Sequence, residues 1–241
     1  MEKIKVKIAV ITDAHGNLPA LKAALKNIEE EGCDAVYHTG DAVGIGPFPN
    51  ESLDLLISKK VKLTMGNHDK WYAYGLPNPQ PDWMTNGEVE HQKWIHNNID
   101  PSYKTIVSKF PYYIKEKIMN FNMLFIHYGL QENQVDFLQA IKNPSEKQLN
   151  HMYSQFDADI IFYGHQHIPS DIKGSYHYIN PGSLGCSKSP VARLSIIELS
   201  DTAYRVRNME IPYNDSELFL ELERRSVPER DFIKKIFFSR G

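Results

Sequence analysis

Five short apolar runs in this chain each end on histidine, aspartate or asparagine, and that recurrence restricts the fold more than any other feature. Residues 6–12 (VKIAVIT) lead into Asp13-Ala14-His15-Gly16-Asn17, residues 35–39 into Gly40-Asp41, and residues 61–65 into Gly66-Asn67-His68-Asp69. Residues 123–126 lead into His127-Tyr128-Gly129, and residues 160–163 into Gly164-His165-Gln166-His167. Runs of this length and composition are expected as buried strands. Pro19 opens an amphipathic helix over 19–31, with Ala20, Leu21, Ala24, Leu25 and Ile28 on one face and Gly32 as its stop. The first two runs and this helix form a strand-helix-strand unit, so the crossover rule makes the two strands parallel and adjacent. Their polar clusters then sit at neighbouring carboxyl ends, where open α/β sheets place ligands. Any one cluster reads equally as a turn or a helix cap; five at the ends of successive strands do not.

A Gly/Pro-rich loop over 43–49 and a helix over 50–59 lead to the third run. Across 70–119 the pattern changes to Trp, Tyr, Asn and Pro (WYAYGLPNPQPDW), with helices expected over 88–97 and, capped by Asp100-Pro101, as far as Ser108. This stretch reads as a cap-like insertion whose aromatics pack on the core or select substrate, and no strand-helix alternation survives in it. Ser145 and Gln148 form a capping box for a helix to Phe156. Residues 176–179, 192–199 and 204–211 read as strands in succession and point to a second, largely antiparallel sheet. The tail over 216–238 is expected to be helical, with a break at Pro228.

A composition of 41% hydrophobic and 24% charged residues over 241 positions is that of a soluble globular chain with a sizeable core. The net charge of −3 and pI near 6.4 argue against a surface that neutralises many phosphates, so stable nucleic-acid binding is not expected. The apolar runs are too short to span a bilayer, and the chain opens on alternating charge instead of an apolar signal segment. Cys33 and Cys186 lie far apart without metal-ligand spacing and read as reduced, structural thiols. The expectation is a cytoplasmic protein without membrane association.

Asp13, His15, Asp41, Asn67, His127, His165 and His167 offer more donors than one tetrahedral metal needs, and beside the imidazoles stand carboxylate and amide oxygens suited to harder ions. The count points to two divalent metals. A carboxylate shared between ions about 3.5–4 Å apart would let a bridging water lose its proton near neutral pH and attack phosphorus in line. Asp41 is the expected bridge. In His165-Gln166-His167 an extended strand end would put both rings on one face, whereas a loop can send them to different metals. His38, His91, His96, His151 and His177 lack such a setting and read as structural or solvent-facing.

In this order the five blocks resemble the signature of the calcineurin-like metallophosphoesterases, over residues 5–211. Val43-Gly44-Ile45-Gly46-Pro47 and Asn180-Pro181-Gly182-Ser183 resemble its small single-domain prokaryotic phosphodiesterase branch. The resemblance implies an α/β (α+β) fold, a four-layer αββα sandwich of two facing mixed β-sheets flanked by helices. It implies one domain over 1–241, carrying the insertion at about 70–119 and the helical tail at about 215–241. It also implies two divalent metal ions, manganese first, with iron, nickel or zinc as alternatives. Position by position, Asp13, His15 and His167 would hold one metal, Asp41 would bridge, and Asn67, His127 and His165 would hold the other. His68 would be the catalytic residue that binds no metal, hydrogen-bonded to the phosphate or leaving oxygen, with Asp69 keeping its ring oriented and protonated. Ala14 and Gln166 depart from the usual residues without removing a ligand. Residues 185–188 lack the Pro-Arg run of relatives, which leaves substrate contacts there open. The expected substrate is a small phosphorylated molecule such as a nucleotide or dinucleotide, cleaved at a phosphodiester or phosphomonoester bond. A protein serine/threonine phosphatase and a non-catalytic scaffold are the alternatives; the aromatic cap disfavours the first, and the intact ligand set with His68 the second. A homo-oligomer is compatible with the Phe-Phe tail.

Overall fold

The computed structural model describes residues 5–239 and places ten strands and eight helices in them. In order these are β1 (Val6–Ile11), α1 (Leu18–Glu30), β2 (Ala35–His38), α2 (Pro49–Ser58), β3 (Lys62–Leu63), α3 (Asn67–Tyr74), α4 (Asn86–Asn98), α5 (Ser102–Val107), β4 (Tyr113–Ile118), β5 (Phe121–Ile126), α6 (Glu146–Met152), β6 (Ile160–Phe162), β7 (Ser170–Lys173), β8 (His177–Asn180), β9 (Val191–Leu199), β10 (Tyr204–Pro212), α7 (Ser216–Arg224) and α8 (Arg230–Phe238).

Alternation along the strands explains the layering. Ile8 and Val10 of β1 point one way and join Met123, Phe125, Ile160, Phe162, Ile179, Ile197 and Leu199 in a core between two sheets. Ala9 and Ile11 point the other way, against Leu21, Ala24 and Ile28 of α1. In the second sheet Leu124, Ile126 and Ile161 face outward onto Leu149 and Met152 of α6. The result is the expected four-layer αββα sandwich, with five-stranded sheets ordered β10-β9-β1-β2-β3 and β4-β5-β6-β8-β7. β1, β2 and β3 run parallel, as do β5, β6 and β8, and antiparallel strands complete each sheet. Phe125 fixes the sheets against one another, stacked between Tyr37 at 3.7 Å and Phe162 at 5.7 Å.

Three sequence expectations are revised. Strands β9 and β10 do not build a second sheet; β9 pairs antiparallel with β1, with Val6 opposite Leu199, because both of its faces are apolar enough to be covered. Residues 113–118 within the presumed insertion form strand β4, an edge strand with Ile114, Glu116 and Ile118 half-buried on one face and Lys115 and Lys117 exposed on the other. Residues 67–74, where no helix is expected from the sequence, form α3, whose start is fixed by Asp69. The tail helices break at Pro228 as expected and fold back: Leu218, Leu222, Val227, Ile233 and Phe238 pack with Leu18, Ile45 and Phe48. Arg225 holds them there by pairing with Glu51 at 2.6 Å and donating to the Pro47 carbonyl at 2.8 Å. No helix among the described residues is long and apolar enough to cross a membrane.

Candidate functional site

The strand ends of both sheets meet at one point. Beyond β1 and β2 the chain keeps exchanging backbone hydrogen bonds: the N–H groups of Asp13, His15 and Gly16 donate to the carbonyls of Gly40, Asp41 and Ala42 at 3.0–3.1 Å. Beyond β5 and β6, the Gly164 N–H donates to the His127 carbonyl at 2.9 Å. These short loops turn sharply, and Asp13, His15, Asp41, His165 and His167 all take left-handed backbone angles, with φ between 48° and 72°. Non-glycine residues avoid that region, and its concentration here marks strain held in place for a function.

The side chains form two groups joined by carboxylates. On one side His15 Nε2 lies 2.9 Å from His167 Nε2, with Asp13 Oδ1 at 3.7 and 3.4 Å from the two rings. On the other, Asn67 Oδ1 lies 3.0 Å from His127 Nε2 and 2.9 Å from His165 Nδ1. Asp41 Oδ2 sits between the groups, 3.7 Å from His15 Nε2 and 3.4 Å from His127 Nε2. Its other oxygen is occupied by the His68 N–H at 2.9 Å. The structure thus brings together all seven residues singled out as ligands and sends His165 and His167 to different groups, as a loop permits.

This donor set fits a pair of metal ions. Metal-ligand bonds of about 2.1 Å give neighbouring donors spacings of about 3.0–3.4 Å, and the spacings above, from 2.9 to 3.7 Å, bracket that range. The rings are also aimed. His127 Nδ1 donates to the Thr39 carbonyl at 2.9 Å and His15 Nδ1 to the Val43 carbonyl at 3.3 Å, so each Nε2 faces inward. Burial opposes charge throughout and is the largest single influence on His127, but the pulls of Asp41, Asp13 and the Thr39 carbonyl together overcome it and raise that imidazole to about 9. Burial would also raise Asp13, yet the charge of His167 and its hydrogen bond hold that carboxyl below the usual range. Two buried carboxylates thus draw positive charge to this point. His15 goes the other way, lowered by burial against a smaller pull from Asp41, and burial lowers His165 to about 4, so both are neutral donors at pH 7.

His68 and Asp69 need a correction. Asp69 does not touch the His68 ring. Its Oδ2 accepts from the Asp41 and Gly66 N–H groups at 2.8 and 3.0 Å, and its Oδ1 from the Val43 N–H at 3.1 Å. Asp69 caps α3 and pins the loop that carries Asp41. Gly66 is needed for closeness, because a Cβ there would strike the Asp41 backbone and carboxylate, while its φ of −99° is open to any residue. The His68 ring is oriented by Gln92 of α4, whose Nε2 donates to His68 Nδ1 at 3.0 Å, leaving the ring proton on Nε2. Burial lowers His68, so the ring is neutral, not held protonated. It lies edge-on to His15 and Trp71 at 5.0 and 4.7 Å. Sequence reasoning missed Gln92 because nothing about a lone glutamine on a distant helix marks it.

The remaining histidines have local partners or none. His38 is buried, with Nδ1 accepting from the Gly40 N–H at 3.2 Å; His91 donates to the Pro228 carbonyl at 3.1 Å; His177 meets Asp171 at 2.7 Å and the Tyr204 hydroxyl at 3.0 Å. His96 stacks obliquely on Tyr72, and His151 is exposed.

The chain belongs to the calcineurin-like phosphoesterase family, whose model matches residues 6–169. It is 24% identical, over 249 aligned positions, to an uncharacterized protein of Methanocaldococcus jannaschii; the match covers 94% of this chain and 96% of the relative. Two solved structures share the fold. A metallophosphoesterase from Sphaerobacter thermophilus aligns with TM-score 0.74 and 20% identity over 95% of this chain and 96% of its own. A hypothetical protein from Pyrococcus horikoshii aligns with TM-score 0.79 and 19% identity over 98% of this chain and all (100%) of its own.

Proposed function

We propose that this protein is a binuclear metal-dependent phosphoesterase that hydrolyses a small phosphorylated molecule by in-line displacement at phosphorus. The observation that carries the reading is Asp41 Oδ2, within 3.7 Å of one imidazole group and 3.4 Å of the other, with Asp13 and Asn67 completing a donor set on each side. Asp13, His15 and His167 would hold one cation, Asn67, His127 and His165 the other, and Asp41 both. When bound, the ions supply charge neutralisation for the phosphoryl oxygens and a water acidic enough to ionise near neutral pH. Manganese is the first candidate, with iron, nickel and zinc the others.

The chain's own residues do the rest. His68 Nε2–H donates a hydrogen bond to the phosphate or leaving oxygen, close to the centre: a His68 ring nitrogen lies within 4.8 Å of donor atoms of both His15 and Asp41. Gln92 fixes that ring's tautomer from the other edge. Because Gln92 belongs to α4, the cap-like insertion at about 70–119 would reach the site through that helix. A cleft of about 290 Å³ opens beside His167, where Lys188 and Arg193 offer positive charge to substrate oxygens and Phe237 offers a flat apolar wall. That volume suits a nucleotide-sized phosphate ester.

The test is hydrolysis of aryl phosphodiesters and monoesters, nucleotides and phosphopeptides by the metal-depleted chain restored with manganese. The expected result is turnover of the small esters, with His68→Ala keeping its metal and losing most activity. Turnover of phosphopeptides alone would support the protein phosphatase instead. No turnover with any divalent ion would leave a scaffold.

A further inference from the structure

Cys186 plays no part above, yet its position is set with unusual care. The loop after β8 is stitched to the Asp13 loop by four hydrogen bonds. The Leu184 and Gly185 N–H groups donate to the Thr12 and Asp13 carbonyls at 2.9 and 3.0 Å. The Ser183 hydroxyl donates to the Asp13 carbonyl at 2.8 Å, and Asn17 Nδ2 to the Gly185 carbonyl at 2.7 Å. Glycine at 185 is what permits this approach, since a Cβ there would strike the Ala14 carbonyl. The next residue, Cys186, is thereby delivered to a buried point, 4% exposed, with its N–H on the Ser183 hydroxyl at 2.8 Å.

That point is the edge of the first donor group. The Cys186 sulfur and one ring nitrogen each from His15 and His167 all lie within 4.8 Å of one another. A buried cysteine is ordinarily a small apolar filler, and the tail residues Leu218 and Ile233 belong to the same apolar cluster. Filling, however, does not require the sulfur to lie within 4.8 Å of a ring nitrogen of each of two histidines whose Nε2 atoms meet at 2.9 Å.

Resting on the binuclear reading of the site, we infer that Cys186 is a sulfur ligand of the cation held by Asp13, His15 and His167. On binding, the S–H bond breaks, its proton passes to solvent, and a sulfur lone pair forms the bond to the metal. No electron is transferred, so no oxidant or reductant is needed. The two positions are then unlike. The one with sulfur favours borderline ions such as zinc, cobalt, nickel or ferrous iron, whereas the Asn67, His127 and His165 position, with oxygen and nitrogen only, accommodates manganese.

Cobalt(II) reports this directly. Added to the metal-depleted full chain, it should give weak visible absorption from bound cobalt together with a strong sulfur-to-cobalt charge-transfer band in the near ultraviolet, which nitrogen and oxygen ligands alone do not produce. The band should saturate at one per chain. Cys186→Ser and Cys186→Ala should lose it while keeping the visible absorption, and Cys33→Ser should keep it. Zinc affinity should fall roughly 10-fold or more in both Cys186 variants, with manganese affinity at the other position unchanged. Visible cobalt absorption in the wild-type chain without the charge-transfer band, or a band that survives in both Cys186 variants, would overturn the assignment while leaving the metal centre standing. Absence of any cobalt absorption would overturn the metal centre and the inference together.

Discussion

Replacing Asp69 by asparagine removes one carboxylate oxygen from a place where both are used. The wild-type side chain accepts three buried backbone N–H groups, those of Asp41 and Gly66 on Oδ2 and that of Val43 on Oδ1. The amide keeps one oxygen, which goes to the side with two donors. Its NH₂ group is then forced against the Val43 N–H, and one buried donor is left without an acceptor, at a cost of about 1–3 kcal/mol. For a chain of this size each kcal/mol moves the melting temperature by about 2–4 °C, so metal-depleted Asp69→Asn should melt roughly 2–12 °C below wild type. Metal affinity should fall as well, because the loosened loop carries Asp41. The assay is thermal unfolding of the metal-depleted proteins, followed by metal content after reconstitution, with His68→Ala alongside. His68→Ala should keep both the melting temperature and the metal. If Asp69→Asn melts with wild type, keeps its metal and loses activity as His68→Ala does, Asp69 acts through the His68 ring after all and the reasoning fails.

Gln92→Leu removes one hydrogen bond to His68 Nδ1, and at about 0.5–1.5 kcal/mol for such a bond it should slow turnover roughly 2- to 13-fold without changing metal content, checked by steady-state kinetics and elemental analysis. His91 gives a pH dependence away from the metals. Burial, opposed only weakly by its bond to Pro228, pushes the imidazole from 6.5 down to about 4. The unfolded chain therefore takes up a proton near pH 6.5 that the folded chain refuses until about pH 4. The stability from keeping this ring neutral is complete above the upper value and is lost as pH falls through the window, by up to about 3 kcal/mol. Urea midpoints at pH 7 and pH 5 should differ less in His91→Gln than in wild type.

The site was legible in the sequence wherever one strand end carried its own polar cluster, because alternation and the crossover rule place such ends together without knowledge of side-chain angles. That is why seven residues spread from Asp13 to His167 are found within a few ångströms. The pairing of His68 with Asp69 was misleading for a simple reason. Neighbours in sequence are separated by about 100° around a helix, and once these residues lie in the first turn of α3 their side chains diverge. The true partner of His68 comes from α4, where Gln92 has no local pattern to mark it. The left-handed backbone at Asp13, His15, Asp41, His165 and His167 was equally hidden, since none is glycine and the strain is imposed by the surrounding loops. Strand β9 was seen as a strand but assigned to the wrong sheet. Residue pattern gives its burial on both faces, and only the closing of the chain shows that its partner is β1.

On the proposed reading, the seven residues hold a pair of metal ions about one shared carboxylate. Elemental analysis of the reconstituted full chain after exhaustive dialysis tests it most directly, with Asp41→Asn measured beside it. Wild type should retain about two divalent ions per chain, and Asp41→Asn should lose bound metal. One ion or none in the wild type, or two retained in Asp41→Asn with unchanged affinity, would contradict it.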